Sequence, residues 1–110
     1  MSKRALWILA GLALCASCRF REMMALREQI AAQFHESHVQ VNVINKGTVV
    51  VSFINSPLNA ASEETKQKRA DEVAKFVVAN LEHPVPQVRV FFVAQSEAGT
   101  VTKLDRYTGR

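Results

Sequence analysis

"HESH", His35 to His38, is the one cluster in this 110-residue chain with the residue types of a metal site or of acid–base catalysis. The zinc-protease helix motif needs His at i and i+4, with Glu beside the first, so that both imidazoles reach one ion. Here position 39 is Val and the second His falls at i+3. Two helical residues three apart can share a metal, but a site takes a third protein ligand, and His83 is the only other histidine. His35 and His38 are therefore weak metal candidates. Their ordinary role is that of two imidazoles near a helix C-terminus, whose partial negative charge suits a basic side chain.

The other signatures of chemistry are missing. Cys15 and Cys18 have C-x-x-C spacing in "CASC", but a redox pair needs a strand-turn-helix setting that this apolar run does not offer. A disulfide closing so short a loop would remove little chain entropy. Glycines at 11, 47, 99 and 109 cannot form a phosphate-cradling or dinucleotide loop, and no G-x-S-x-G elbow exists. Glu63, Glu64, Asp71 and Glu72 fall at the start or on the polar side of a helix, with nothing apolar nearby to raise a carboxyl pKa. No catalytic residue and no cofactor is assigned.

The elements that would position these residues follow from hydrophobic periodicity. Met23, Leu26, Ile30 and Phe34 recur at helical spacing, so a helix is expected from Phe20 to about His38. "VQVNVI" alternates with period two, "NKG" interrupts, and "TVVVSFI" resumes, which reads as a hairpin over Val39 to Ile54. A two-residue loop would mix polar and apolar residues on each face. A three-residue loop, Asn45 to Gly47, pairs Val43 with Val49, Val41 with Val51 and Val39 with Phe53, making one face wholly apolar. It also places Gly47 at the left-handed position of the turn.

"NSPLNAAS", Asn55 to Ser62, is a loop. Ser62 offers an N-cap for a helix running to about Glu82, with Ala70, Val73, Ala74, Val77 and Leu81 as its buried stripe. Val88 to Gln95 is a strong strand, "SEAGT" a turn, and Val101 to Thr108 an edge strand whose Lys103, Asp105 and Arg106 discourage pairing. The expected fold class is α+β in the order α-β-β-α-β-β: a four-stranded, mostly antiparallel sheet with two helices on one face. The hairpin's outer face would carry Gln40, Asn42, Ile44, Thr48, Val50, Ser52 and Ile54, too apolar to be wholly wet and too polar for a core. Ile44, Val50 and Ile54, with Phe91 if the last strands align with the first hairpin, are the candidate partner-contact residues.

Before this domain, Lys3 and Arg4 precede twelve uncharged residues, Ala5 to Ala16, and small residues follow. A run of that length suits a signal-peptide h-region and is short for a membrane span. The segment resembles a bacterial lipoprotein signal, in which a short box of small and apolar residues precedes a cysteine that becomes the lipidated first residue. The resemblance covers residues 1–18. Cys15 follows Leu12, Ala13 and Leu14, with a bulky leucine at the cut; Cys18 follows Cys15, Ala16 and Ser17, small at both nearest positions. It implies a signal peptide over 1–17, one domain over 18–110, and lipid attachment, as palmitate or a similar acyl chain, at Cys18. The alternatives are cleavage without lipid, giving a secreted chain, and an apolar helix retained in a membrane assembly.

The net charge of +4 falls to +2 once Lys3 and Arg4 are set aside. Basic residues in the second helix are interleaved with acids and lack an aromatic platform, which argues against nucleic acid. The expectation is a small cell-envelope lipoprotein on the extracytoplasmic side of a membrane, serving as a non-catalytic binding or accessory module for an envelope protein. An exported enzyme with an unrecognised site is the alternative.

Overall fold

The two runs richest in β-branched and aromatic residues, TVVVSFI and VRVFFVAQ, become the central strands of one sheet, each paired on both sides. The computed structural model describes residues 15–44, 47–81 and 84–109, with only the backbone path for Cys15 to Phe20. In chain order the elements are helix α1 (Cys15–Phe34), strands β1 (Val39–Ile44) and β2 (Thr48–Ile54), a 3-10 turn (Pro57–Ala60), helix α2 (Glu63–Asn80), and strands β3 (Val88–Gln95) and β4 (Val101–Gly109). The Lys3–Arg4 pair, the apolar run to Leu14, the turn residues Asn45 and Lys46, and His83 lie outside the described residues, as does the side chain of Cys18. No helix among the described residues is long and apolar enough to cross a membrane.

The fold is α+β. Strand order is β1-β2-β3-β4, with β1/β2 and β3/β4 antiparallel and β2/β3 parallel. The parallel pair follows from the helix between its strands: α2 carries the chain back across the sheet, so β3 runs in the direction of β2. The hairpin register is that of the three-residue loop, with Val39 opposite Phe53, Val41 opposite Val51 and Val43 opposite Val49. Gly47 has φ +106°, a conformation that side chains with a Cβ rarely adopt.

Both helices lie on the face formed by Val39, Val49, Val51, Phe53, Val88, Val90 and Phe92, and one core cluster joins these residues to Leu26 and Ile30 of α1 and Ala70, Val73, Ala74 and Val77 of α2. Phe76, off the main stripe of α2, reaches α1: its ring lies 5.7 Å from that of Phe34, edge to face. Ser62 caps α2, its Oγ accepting from the Thr65 N–H at 3.2 Å.

Helix α1 differs from its expected bounds at both ends. Its described residues reach back to Cys15, five residues before Phe20, because "CASC" contains no residue that breaks a helix. It stops at Phe34, short of His38, because His35 turns to φ +55° and the Glu36 N–H donates back to the Ala31 carbonyl at 3.0 Å. That bond over six residues is the Schellman termination, with His in the position glycine usually takes. Helix α2 ends at Asn80, two residues before its expected limit.

Strand β4 passes so close to α2 that a Cβ at Gly109 would meet the Ala74 methyl and come within 2.7 Å of the Ala70 carbonyl oxygen. Gly109→Ala is therefore expected to lower stability by about 1–3 kcal/mol through overpacking. A urea midpoint equal to that of the native chain would show that the strand end yields freely.

Candidate functional site

The helices leave the other face of the sheet uncovered. Cross-strand register arranges its side chains in rows: Asn42, Val50, Arg89 and Thr108; then Gln40, Ser52, Phe91 and Arg106; then Ile54, Val93 and Leu104. The last strands do align with the first hairpin, so Phe91 lies diagonally between Val50 and Ile54. Leu104, 46% exposed, extends the apolar row, while Val93 between Ile54 and Leu104 is only 6% exposed.

The four residues singled out from sequence fare differently. Ile54 and Phe91 are half-buried and adjacent. Val50 lies on this face yet is only 6% exposed, closed off by its neighbours in the sheet although it stands outside the core cluster. Ile44 is exposed but sits opposite Thr48 at the far end of the hairpin, some six residues and thus about 20 Å from Ile54. Leu104 and Val93 were not identified in the sequence, because their place depends on the pairing of β3 with β4. The only charges in the paired rows are Arg89 and Arg106, both positive. Arg89 is half-buried, and its Nε donates to Gln87 Oε1 at 3.2 Å.

"HESH" is not a shared metal face. With the helix ended at Phe34, His35 and His38 are both exposed and leave the turn on separate residues of irregular backbone. The residue between them turns inward: Glu36 is buried, accepts from Ser56 Oγ at 2.7 Å, and lies 3.7 Å from Arg69 Nη1. Arg69 also stacks over the Phe34 ring, 5.0 Å from its centroid. This cluster ties the end of α1 to the start of α2. A shallow groove of about 470 Å³ runs past His38 beside Arg27 and Glu28. Among the described residues no group of three or more His, Cys, Asp or Glu is placed to hold a metal ion.

A second buried charge was missed in the sequence. The Lys66 side chain is 4% exposed, donates from Nζ to Asp105 Oδ2 at 2.7 Å, and lies over the Phe92 ring at 5.9 Å. Its spacing offered a signal, since residues 66, 70, 73 and 77 share one helical stripe. The hydrogen bond from Lys66 holds the Asp105 carboxyl below its ordinary 3.8; the charges of Lys66 and Lys103 add to this and partial desolvation opposes it. The pair braces α2 against β4.

The described outer face offers an apolar patch with two guanidinium-bearing neighbours, Arg89 and Arg106. No family model, no curated protein and no solved structure matches this chain.

Proposed function

We propose that this protein is a small cell-envelope lipoprotein, a non-catalytic binding module held at a membrane by acyl chains on Cys18. One observation carries the binding role: an apolar patch of Ile54, Phe91 and Leu104 on a sheet face that neither helix covers. Contiguous apolar surface of this kind marks interaction sites on small soluble domains. The partner is an envelope protein whose contact surface is apolar at its centre and acidic where it meets Arg89 and Arg106. The anchor rests on the N-terminal signal features. Helix α1 would then begin at the first residues of the mature chain, and Cys18 would stand about 12 Å along the helix axis from Leu26, the first fully buried core contact among the described side chains. A stalk that short holds the domain close to the membrane.

A second reading, a membrane-assembly subunit that keeps its apolar N-terminus, is favoured by the start of α1 at Cys15, ahead of Cys18, and its unbroken run to Phe34. Intact mass of the native protein from the membrane fraction separates the two. An acylated chain beginning at Cys18 is the expected result; an unmodified chain still carrying Met1 points to the assembly subunit, and an unlipidated cut chain removes the anchor. For the binding face, a photo-crosslinker at Leu104 is expected to give a discrete adduct in intact envelopes. Ile54→Glu with Phe91→Glu should abolish that adduct while leaving the far-UV spectrum unchanged. Unfolding of the double variant would instead place these side chains in a core.

A further inference from the structure

Among the described residues the sheet has two open edges, and they are not alike. β4 carries Lys103, Asp105 and Arg106, charges that discourage a neighbouring strand. β1, VQVNVI, has no charge and no proline, and its register with β2 is unbroken. It is an edge without the usual protection.

The ladder decides which backbone groups of β1 are free. The Ile54 N–H donates to the His38 carbonyl at 3.0 Å, so these two residues form a hydrogen-bonded pair. Alternation then commits Gln40, Asn42 and Ile44 to β2 and turns the N–H and C=O of Val39, Val41 and Val43 outward. The far side of β2 obeys the same alternation, with the Val49 N–H donating to the Gln87 carbonyl at 3.0 Å.

A groove of about 530 Å³ lies beside this edge, walled by Met23, Met24 and Arg27 of α1. Its other wall includes Val41 and Val43, which face the helices, and also Gln40 and Asn42, which face the opposite way. A cavity touched by both faces of one strand sits at the edge of that strand, with α1 overhanging it. The groove past His38 continues the same seam, since Arg27 and Gln40 line both. Arg27 is half-buried and has no ion pair among the described residues.

We propose that this slot takes an extended peptide segment of a partner protein, added as a fifth strand beside β1, with alternate apolar side chains against the two methionines and a carboxylate facing Arg27. Main-chain hydrogen bonds to Val39, Val41 and Val43 supply affinity, and the groove reads alternate side chains. Methionine walls suit such a ligand because they repack around different shapes. A second copy of this chain fits less well. Paired edges lie about 4.8 Å apart, while packed helices need 8–10 Å between axes, so two overhanging α1 helices would compete for one space. A bare peptide brings no helix. The slot beside Met23 and Met24 shares no lining residue with the outer-face patch, which meets only the continuation of the seam past His38, at Ile54; Phe91 and Leu104 line neither groove, so either site can fail without the other.

The test uses the full chain and a labelled hexapeptide, Thr-Val-Thr-Val-Thr-Glu, whose valines and glutamate share one face of the strand, beside a counterpart with Lys in place of Glu. Saturable binding of the Glu peptide is expected, with slowed amide exchange at Val39, Val41 and Val43. Val41→Pro removes one outward N–H without touching the ladder to β2 and should weaken binding about tenfold or more. Arg27→Glu, on the helix surface, should reverse the preference between the two peptides. The proposal is overturned by absence of saturable binding at about 1 mM, by equal binding to Val41→Pro, or by an unchanged preference in Arg27→Glu. A dimer that Val41→Pro dissolves, without peptide binding, overturns it in favour of a second copy.

Discussion

Phe92→Ala is expected to lower stability by about 3–5 kcal/mol, a large share of the roughly 5–15 kcal/mol that holds a domain together. Phe92 is 1% exposed in the middle of β3, and its ring lies 5.6 Å from that of Phe53 and 5.8 Å from that of Tyr107. It joins β2, β3 and β4 beneath α2, and the Lys66 ammonium lies over its ring at 5.9 Å. Truncation leaves a cavity bounded by three strands that are tied into one ladder and cannot collapse together. The neighbouring Phe91→Ala makes the control, because Phe91 faces the other side of the sheet and is half-buried. Its expected cost is about 1 kcal/mol. Urea unfolding of the two variants checks the contrast; equal losses would mean that the outer face is packed as tightly as the core.

The second large effect concerns the pair of Lys66 with Asp105. Asp105→Asn is expected to destabilise the chain more than Lys66→Met. The variants are unequal because the charges they strand are unequally buried. Asp105→Asn leaves an ammonium on a side chain 4% exposed, whereas Lys66→Met leaves a carboxylate on a side chain 30% exposed and 3.6 Å from Lys103 Nζ. The double variant should recover much of the loss, since neither charge is then left without its partner. Additive losses in the double variant would sink this account.

The same pair sets an acid dependence. The carboxyl of Asp105 titrates below its ordinary 3.8 in the folded chain, first through the hydrogen bond from Lys66. A depressed folded value means that the stabilisation is complete above the unfolded pKa and is lost as pH falls through the folded one. The stability difference between the native chain and Asp105→Asn should thus be flat at neutral pH and shrink as pH drops below about 4. Denaturation midpoints from pH 2 to 7 provide the measurement.

Local order was open to the sequence wherever a wrong choice would put apolar groups in water. The hairpin is the clearest case: a slip of one residue would have sent Val39, Val41, Val43, Val49, Val51 and Phe53 to the wrong face, so period-two alternation alone selected the three-residue loop. The Ser62 cap and the stripe Ala70, Val73, Ala74 and Val77 followed in the same way from a period of 3.6. The end of α1 was less accessible. His35 in the left-handed conformation is a backbone state that its residue type permits but does not demand.

The candidate sites belong to the tertiary structure. Ile54 and Phe91 meet because α2 returns the chain for a parallel pairing of β2 with β3, and Leu104 joins them because the antiparallel return of β4 brings it opposite Val93. Glu36 and Lys66 look like surface charges in isolation; each is buried only because Ser56 and Asp105, 20 and 39 residues away, arrive as partners. The slot beside β1 exists because α1 packs over an edge that the order β1-β2-β3-β4 leaves open. Periodicity is a property of neighbours along the chain, and it determined the elements and their inward faces. Which elements become edges, which charges find counter-charges and which apolar residues remain uncovered depend on pairings across the chain, and only the packed sheet decided those.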